Sequence, residues 1–253
     1  MVVQKLREGK RIVGTMVRMI QDPAVAVSAH KAGLDFILLD LEHGPYTMET
    51  MGNIFKVGRA FGMGCFVRVP ELAKGYVSRS LDAGATGVMV PMLESVEQAK
   101  NLVAWAKYPP LGNRGFGGIG GHTDYASIPT DATQAFMAKA NVDTLAIAQI
   151  ETGLAIQNID AIAAVPGIDA LLIGPNDLAI SIGVTGDLMG DTVDKAIGKV
   201  AAAAKKHGKI FGMHGPDPLT DRWLPKGLTL VMSNTDAGVL FNGLKAICKK
   251  YKS

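Results

Sequence analysis

Eight short apolar segments, separated by stretches of helical periodicity, constrain this chain more than any single motif does. They fall at residues 12–17, 36–40, 65–69, 87–91, 144–150, 169–173, 209–213 and 228–232, and are rich in Val, Ile and Leu. Short apolar runs bounded by glycine or polar residues read as buried strands. Between them, residues 23–32, 48–60, 95–105, 153–164 and 192–207 carry apolar side chains at helical spacing. Strand and helix in alternation imply parallel strands joined by right-handed crossovers. Eight such repeats in 253 residues predict an α/β fold, a (β/α)8 TIM barrel, with a doubly wound open sheet as the second reading. Glycines in KAGLDF, DAGATG, VPGIDA and HGKIFG stand where helices would end before the next strand. No low-complexity stretch divides the chain, so residues 1–253 are expected to form a single barrel domain. The longest irregular segment, from Tyr108 to about Ile128, is long for a connection and is expected to cover or line something.

Charge and cysteine usage narrow the setting. Twenty-six basic residues against 23 acidic ones give a net charge of +3 with no long run of either sign, which argues against a nucleic-acid partner. Lys249, Lys250 and Lys252 end the last helical stretch, where cations favour the helix dipole. Cys65 and Cys248 are far apart and form no redox or metal motif, as in a reducing cytoplasm. The N-terminal stretch lacks the apolar core of a signal peptide, and no later stretch reaches bilayer length without charge or glycine, so no membrane partner is expected.

In a parallel barrel, chemistry is built at the C-terminal ends of the strands. Those positions here hold Asp40, Glu42 and His43 after the second segment, Arg68 on the third, and Gln149 and Glu151 on the fifth. Asp177 follows the sixth, His214 the seventh, and Ser233, Asn234 and Asp236 the eighth. Glu151 and Asp177 follow consecutive strands, so their carboxylates would face each other across a short gap. They would either hold a hard divalent cation, in an oxygen-rich donor set, or simply cap the helices that follow. His43 is suited to acid–base chemistry near neutral pH or to a structural hydrogen bond. Arg68, inside the apolar run CFVRVP, needs either an acid partner or a bound anion.

Other features carry less. Residues 115–120 match G-x-G-x-x-G literally but follow an irregular YPPLGNR stretch instead of a strand opening into a helix, which argues against a dinucleotide. Lys209 begins its strand and Lys74 lies in a loop beyond the third, which disfavours imine chemistry. His30 and His207 read as structural, and His122 and His214 are within range of the mouth without an assigned role.

LDLEHGP, FVRVP, LDAGATGVMVPM, YPPLGNRG, QIET and IGPNDL, in this order, resemble the metal-dependent HpcH/HpaI aldolases over about residues 14–238. The resemblance implies a barrel of the phosphoenolpyruvate/pyruvate type. It also implies a homo-oligomer, a hexamer built as a trimer of dimers, with the last helix exchanged between neighbouring subunits. It makes Glu151 and Asp177 ligands of Mg²⁺, Mn²⁺ or Co²⁺, His43 the catalytic base, Asp82 its partner and Arg68 the substrate-binding arginine. Gln149 and the stretch Gly174, Pro175, Asn176 and Asp177 would contact the substrate. The implied reaction is reversible cleavage of a 4-hydroxy-2-keto acid, such as 4-hydroxy-2-oxoheptanedioate or a 2-keto-3-deoxy sugar acid, to pyruvate and an aldehyde. GFGGIGGHTDYASIP departs from the family pattern and is expected near the aldehyde half of the substrate. A coenzyme A thioester lyase of the citrate-lyase β type, which should lack the EHGP histidine, and a non-catalytic ligand-binding barrel are the alternatives.

Overall fold

Eight parallel strands close on themselves in chain order in the computed structural model, which describes residues 2–252. They are β1 (Ile12–Val17), β2 (Phe36–Asp40), β3 (Gly64–Arg68), β4 (Gly87–Val90), β5 (Leu145–Ile150), β6 (Ala170–Ile173), β7 (Ile210–His214) and β8 (Leu230–Thr235). Pairing of β1 with β8 closes the barrel and removes the open-sheet reading. Several helices lie beyond the sequence expectation, Thr133–Asp143 and Asp217–Trp223 among them. A short helix, Val2–Arg7, precedes β1, and Lys74 starts a helix, Lys74–Asp82, where a loop was expected. The second lacks a side-chain cap at Ala73, so its start carries little local signal.

Strand alternation divides the apolar residues into two layers. Phe36 and Leu38 of β2 join Phe66, Leu145, Ile147, Leu172, Leu230 and Met232 inside the barrel. Ile37 and Leu39 instead meet the surrounding helices with Val67, Ala146 and Leu171. All five residues of β2 and of β3 are buried, as expected for strands covered on both sides. The interior is filled by large side chains opposite glycines. A Cβ on Gly14 would sit 2.4 Å from the Phe36 carbonyl oxygen, and one on Gly87 would sit 2.7 Å from the Phe66 ring. The same alternation brings Asp40, Arg68 and Gln149 onto the inward face at the C-terminal ends of their strands. A polar layer thus closes an otherwise apolar interior.

Candidate active site

Asp40 and Arg68 are register partners on adjacent strands, pointing inward together. Arg68 donates from Nε to Asp40 Oδ1 at 2.8 Å and from Nη2 to Oδ2 at 2.6 Å, a bidentate pair. Burial alone pushes the Asp40 carboxyl up, but Arg68 and the backbone N–H groups of His43 and Glu42 outweigh it and hold the group below the usual carboxylate range. Arg68 Nη1 also lies 2.8 Å from Glu42 Oε2. Both expectations for Arg68 are therefore open to it: it has acid partners and still lines the chamber at the mouth.

That chamber, about 130 Å³, is walled by Met16, Arg18, His43, Arg68, Met89, Gln149, Leu172, the turn from Gly174 to Asp177, His214 and Met232. His43, Arg68, Gln149 and the 174–177 turn, all expected at the site, meet there. His43 is half-exposed, and its nearest carboxylate is Glu42, 3.9 Å from Nε2. His214, unassigned from sequence, donates from Nε2 to the Asn234 carbonyl at 3.0 Å, and burial pushes its pKa below the ordinary histidine value.

Glu151 stands just beyond β5, 2% exposed. Its Oε1 accepts from the Met92 N–H at 2.8 Å, and Met92 holds a left-handed φ of 51° to aim that group. Its Oε2 accepts from Gln149 Nε2 and faces Gly174, where an added Cβ would come within 2.4 Å. Gln149 Oε1 is buried with no hydrogen-bond partner. Asp177, on the first turn of the helix Pro175–Ser181, is exposed and close enough to act on the Glu151 carboxyl. Burial, opposed by the Met92 N–H and reinforced by Asp177, pushes that carboxyl up to about 7. A buried acid, an unpaired amide oxygen and an exposed second acid, all oxygen donors, fit a hard divalent cation. Among the described residues no three His, Cys, Asp or Glu side chains gather as they would around a structural metal.

The raised Glu151 value has a definite sign in the metal-free chain. Folding favours the protonated form, so this group's contribution to stability is full below about 4.5 and is lost as pH rises to about 7. The loss is on the order of 3 kcal/mol at 1.36 kcal/mol per pH unit. Thermal unfolding of the metal-free chain should show this decline between pH 4.5 and 7, and Glu151→Gln should remove it; identical pH profiles for the two would refute the assignment.

Two expectations need correction within one chain. Asp82 is the last residue of the helix that returns from β3 to the start of β4, so it lies at the opposite end of the barrel from His43. There Arg114 pairs with it at 2.6 Å. The segment 115–129 lies at that end too: a Cβ on Gly117 would sit 3.8 Å from Asp82 Oδ2, and His122 Nδ1 lies 3.4 Å from the Asp82 carbonyl oxygen. It therefore lies away from the aldehyde half in its own barrel. A large cavity, about 1550 Å³, also opens at this end, near Lys107, Asp169 and Lys209. Both of its lysines are engaged, Lys107 by the Asn141 and Thr144 carbonyls and Asp169, and Lys209 by the Val165 and Ile168 carbonyls.

Sequence reasoning missed Arg18, one residue beyond β1, although the rule applied to the other strand ends would have found it. A second and wider groove, about 590 Å³, is lined by Arg18, Asn176, Leu188, His214, residues 215–218 and the 233–235 end of β8. It shares Arg18, Asn176 and His214 with the chamber, so the two are continuous.

A closed parallel barrel whose C-terminal mouth gathers an arginine–carboxylate pair, a histidine and a buried acid beside an exposed one is an enzyme of the (β/α)8 class. Residues 18–227 match the HpcH/HpaI aldolase/citrate lyase family. The chain is 36% identical over 240 residues to a 4-hydroxy-2-oxovalerate aldolase from Novosphingobium aromaticivorans, covering 94% of this chain and 89% of that protein. It is 32% identical over 222 residues to a 5-keto-4-deoxy-D-glucarate aldolase from Klebsiella pneumoniae, covering 87% and 85%. The crystal structure of an HpcH/HpaI aldolase from Desulfitobacterium hafniense superposes with a TM-score of 0.91 at 32% identity, over 97% of this chain and 95% of that one. The chain belongs to the HpcH/HpaI aldolase/citrate lyase family and is a carbon–carbon lyase.

Proposed function

We propose that this chain cleaves a 4-hydroxy-2-keto acid reversibly to pyruvate and an aldehyde, with a divalent metal ion held by Glu151 and Asp177. The observation that carries the reading is the convergence of His43, Arg68, Gln149 and the Gly174–Asp177 turn on one small chamber beside the buried Glu151. When bound, the metal supplies Lewis acidity at the keto and carboxylate oxygens of the 2-keto acid. The first-turn N–H groups after Gly174 have no intrahelical partner and receive the substrate carboxylate. Arg68, held rigid by Asp40, neutralises the negative charge that grows on the keto oxygen. Gln149 presents its free Oε1 to the same space. His43 takes the proton of the 4-hydroxyl during cleavage and returns it during addition.

Pyruvate release from a panel of 4-hydroxy-2-keto acids tests this. Turnover should vanish with a chelator and return with Mg²⁺, Mn²⁺ or Co²⁺; turnover indifferent to chelation would remove the metal from the reading.

The last helix, Asp236–Tyr251, supports an oligomer. Only Asp236 is buried along it, while Val239, Phe241, Leu244 and Ile247 are each more than half exposed. Such a face on a helix leaving its own barrel suits exchange with a neighbouring copy, in the trimer-of-dimers hexamer expected from sequence. Since Asp82 and His43 sit at opposite ends of one barrel, an Asp82–His43 pair can form only between copies. The free cysteines Cys65 and Cys248 suit the cytoplasmic setting expected from sequence, and no described helix is long and apolar enough to cross a membrane.

A further inference from the structure

Resting on the aldolase reading above, we propose that Arg18 is the determinant that selects a carboxylate-bearing aldehyde as the second substrate. Arg18 stands just beyond β1, across the barrel from Glu151 just beyond β5, where the chamber opens into the wider groove. A 2-keto acid seated against Glu151, Gly174 and Arg68 would direct its reacting partner toward that opening. Arg68 is engaged by Asp40 and Glu42 at all three nitrogens, and in the aldolase reading its remaining N–H groups serve the keto oxygen, so an anionic second partner needs another cation. Arg18 differs. Its Nε lies 3.3 Å from Asp40 Oδ2, and among the described residues neither of its Nη atoms has a partner. The planar Nη edge is thus open to bidentate contact with a carboxylate.

The backbone beneath Arg18 is fixed. Its N–H donates to Asp236 Oδ1 at 2.9 Å, while Met19 and Ile20 donate to Oδ2 at 3.0 and 2.7 Å. The Tyr46 hydroxyl donates to the Ile20 carbonyl at 2.9 Å. A guanidinium on so braced a turn loses little freedom on binding. The other basic side chain at the throat, His214, spends its Nε2 proton on the Asn234 carbonyl. Asp217, farther out along the groove, accepts from Ser233 Oγ at 3.0 Å and repels an anion that overshoots Arg18, which favours a short oxo acid.

The test is addition of pyruvate to matched aldehydes: glyoxylate against glycolaldehyde, and succinate semialdehyde against butanal. In the unaltered enzyme kcat/KM should favour the acid of each pair. In Arg18→Gln the acid-to-neutral ratio should fall about 10- to 100-fold, as expected for one charge-assisted pair, with the loss in KM for the acid. Arg18→Lys, which keeps the charge but not the fork, should fall between. An unchanged ratio in Arg18→Gln, or an unaltered enzyme that prefers the neutral partner, overturns the assignment and leaves the aldolase reading standing. Failure with every aldehyde, neutral ones included, overturns both. Since Asp40 keeps its bidentate partner in the variants and Arg18 is partly exposed, folded protein is expected, checked by its unfolding temperature.

Discussion

Glu151→Gln is expected to lower metal-supported pyruvate release by at least about 100-fold, more than loss of a group that merely orients a metal ligand. The substitution keeps shape but changes what the site offers. Oε1 accepts from the Met92 N–H, a role that an amide oxygen can retain, so the backbone at Met92 stays in place. The second oxygen becomes an NH2 group facing the Gln149 Nε2 donor, and the carboxylate charge beside Asp177 is gone. Two donors then meet where a cation would need oxygen. Metal affinity by calorimetry should fall in parallel with activity, while the unfolding temperature of the metal-free chain at pH 7 should hold or rise, because a buried ionisable group has been neutralised. Full activity in Glu151→Gln would remove Glu151 from the ligand set. Lost activity with undiminished metal binding would assign it to substrate instead.

The barrel was legible because its signal repeats: eight short apolar runs with capped returns leave few other topologies. Much of the site was legible for a related reason. Once strand ends are fixed, alternation alone puts Asp40, Arg68 and Gln149 on the inward face, and β2–β3 register then pairs the first two. Arg18 was overlooked because it interrupts the apolar run MVRMI without a second polar neighbour, and its importance depends on Asp236, more than two hundred residues away, gripping its backbone. Asp82 illustrates a different limit. Its motif, LDAG, lies at the C-terminal end of a helix, and helices in this fold return the chain to the end of the barrel away from the chemistry. Helix direction thus decides that Asp82 and His43 do not meet within one chain. The glycine-rich segment 115–129 was misplaced likewise, since nothing local says which end of the barrel a long connection crosses.

That placement makes a pair of impaired variants informative together. His43→Ala removes the proton carrier and should lower turnover about 10²- to 10⁴-fold, the usual span for one acid–base group. Asp82→Asn should also be impaired if a neighbour's Asp82 orients His43, and less severely, because the imidazole remains. If the two residues meet between copies, a site is whole whenever its host keeps His43 and the adjoining copy keeps Asp82. Unfolding the two variants together in equal amounts and refolding them should then restore about a quarter of the unaltered activity, since half the hosts and half the neighbours qualify. Refolding either variant alone should restore no more than that variant's own residual activity, and the activity recovered above that level should scale with the product of the two fractions. A mixture no more active than the average of its components would show that Asp82 does not complete a neighbour's site. Asp82 would then be left to its ion pair with Arg114, and Glu42, the acid nearest His43 within the chain, would take its place as the group that orients the imidazole.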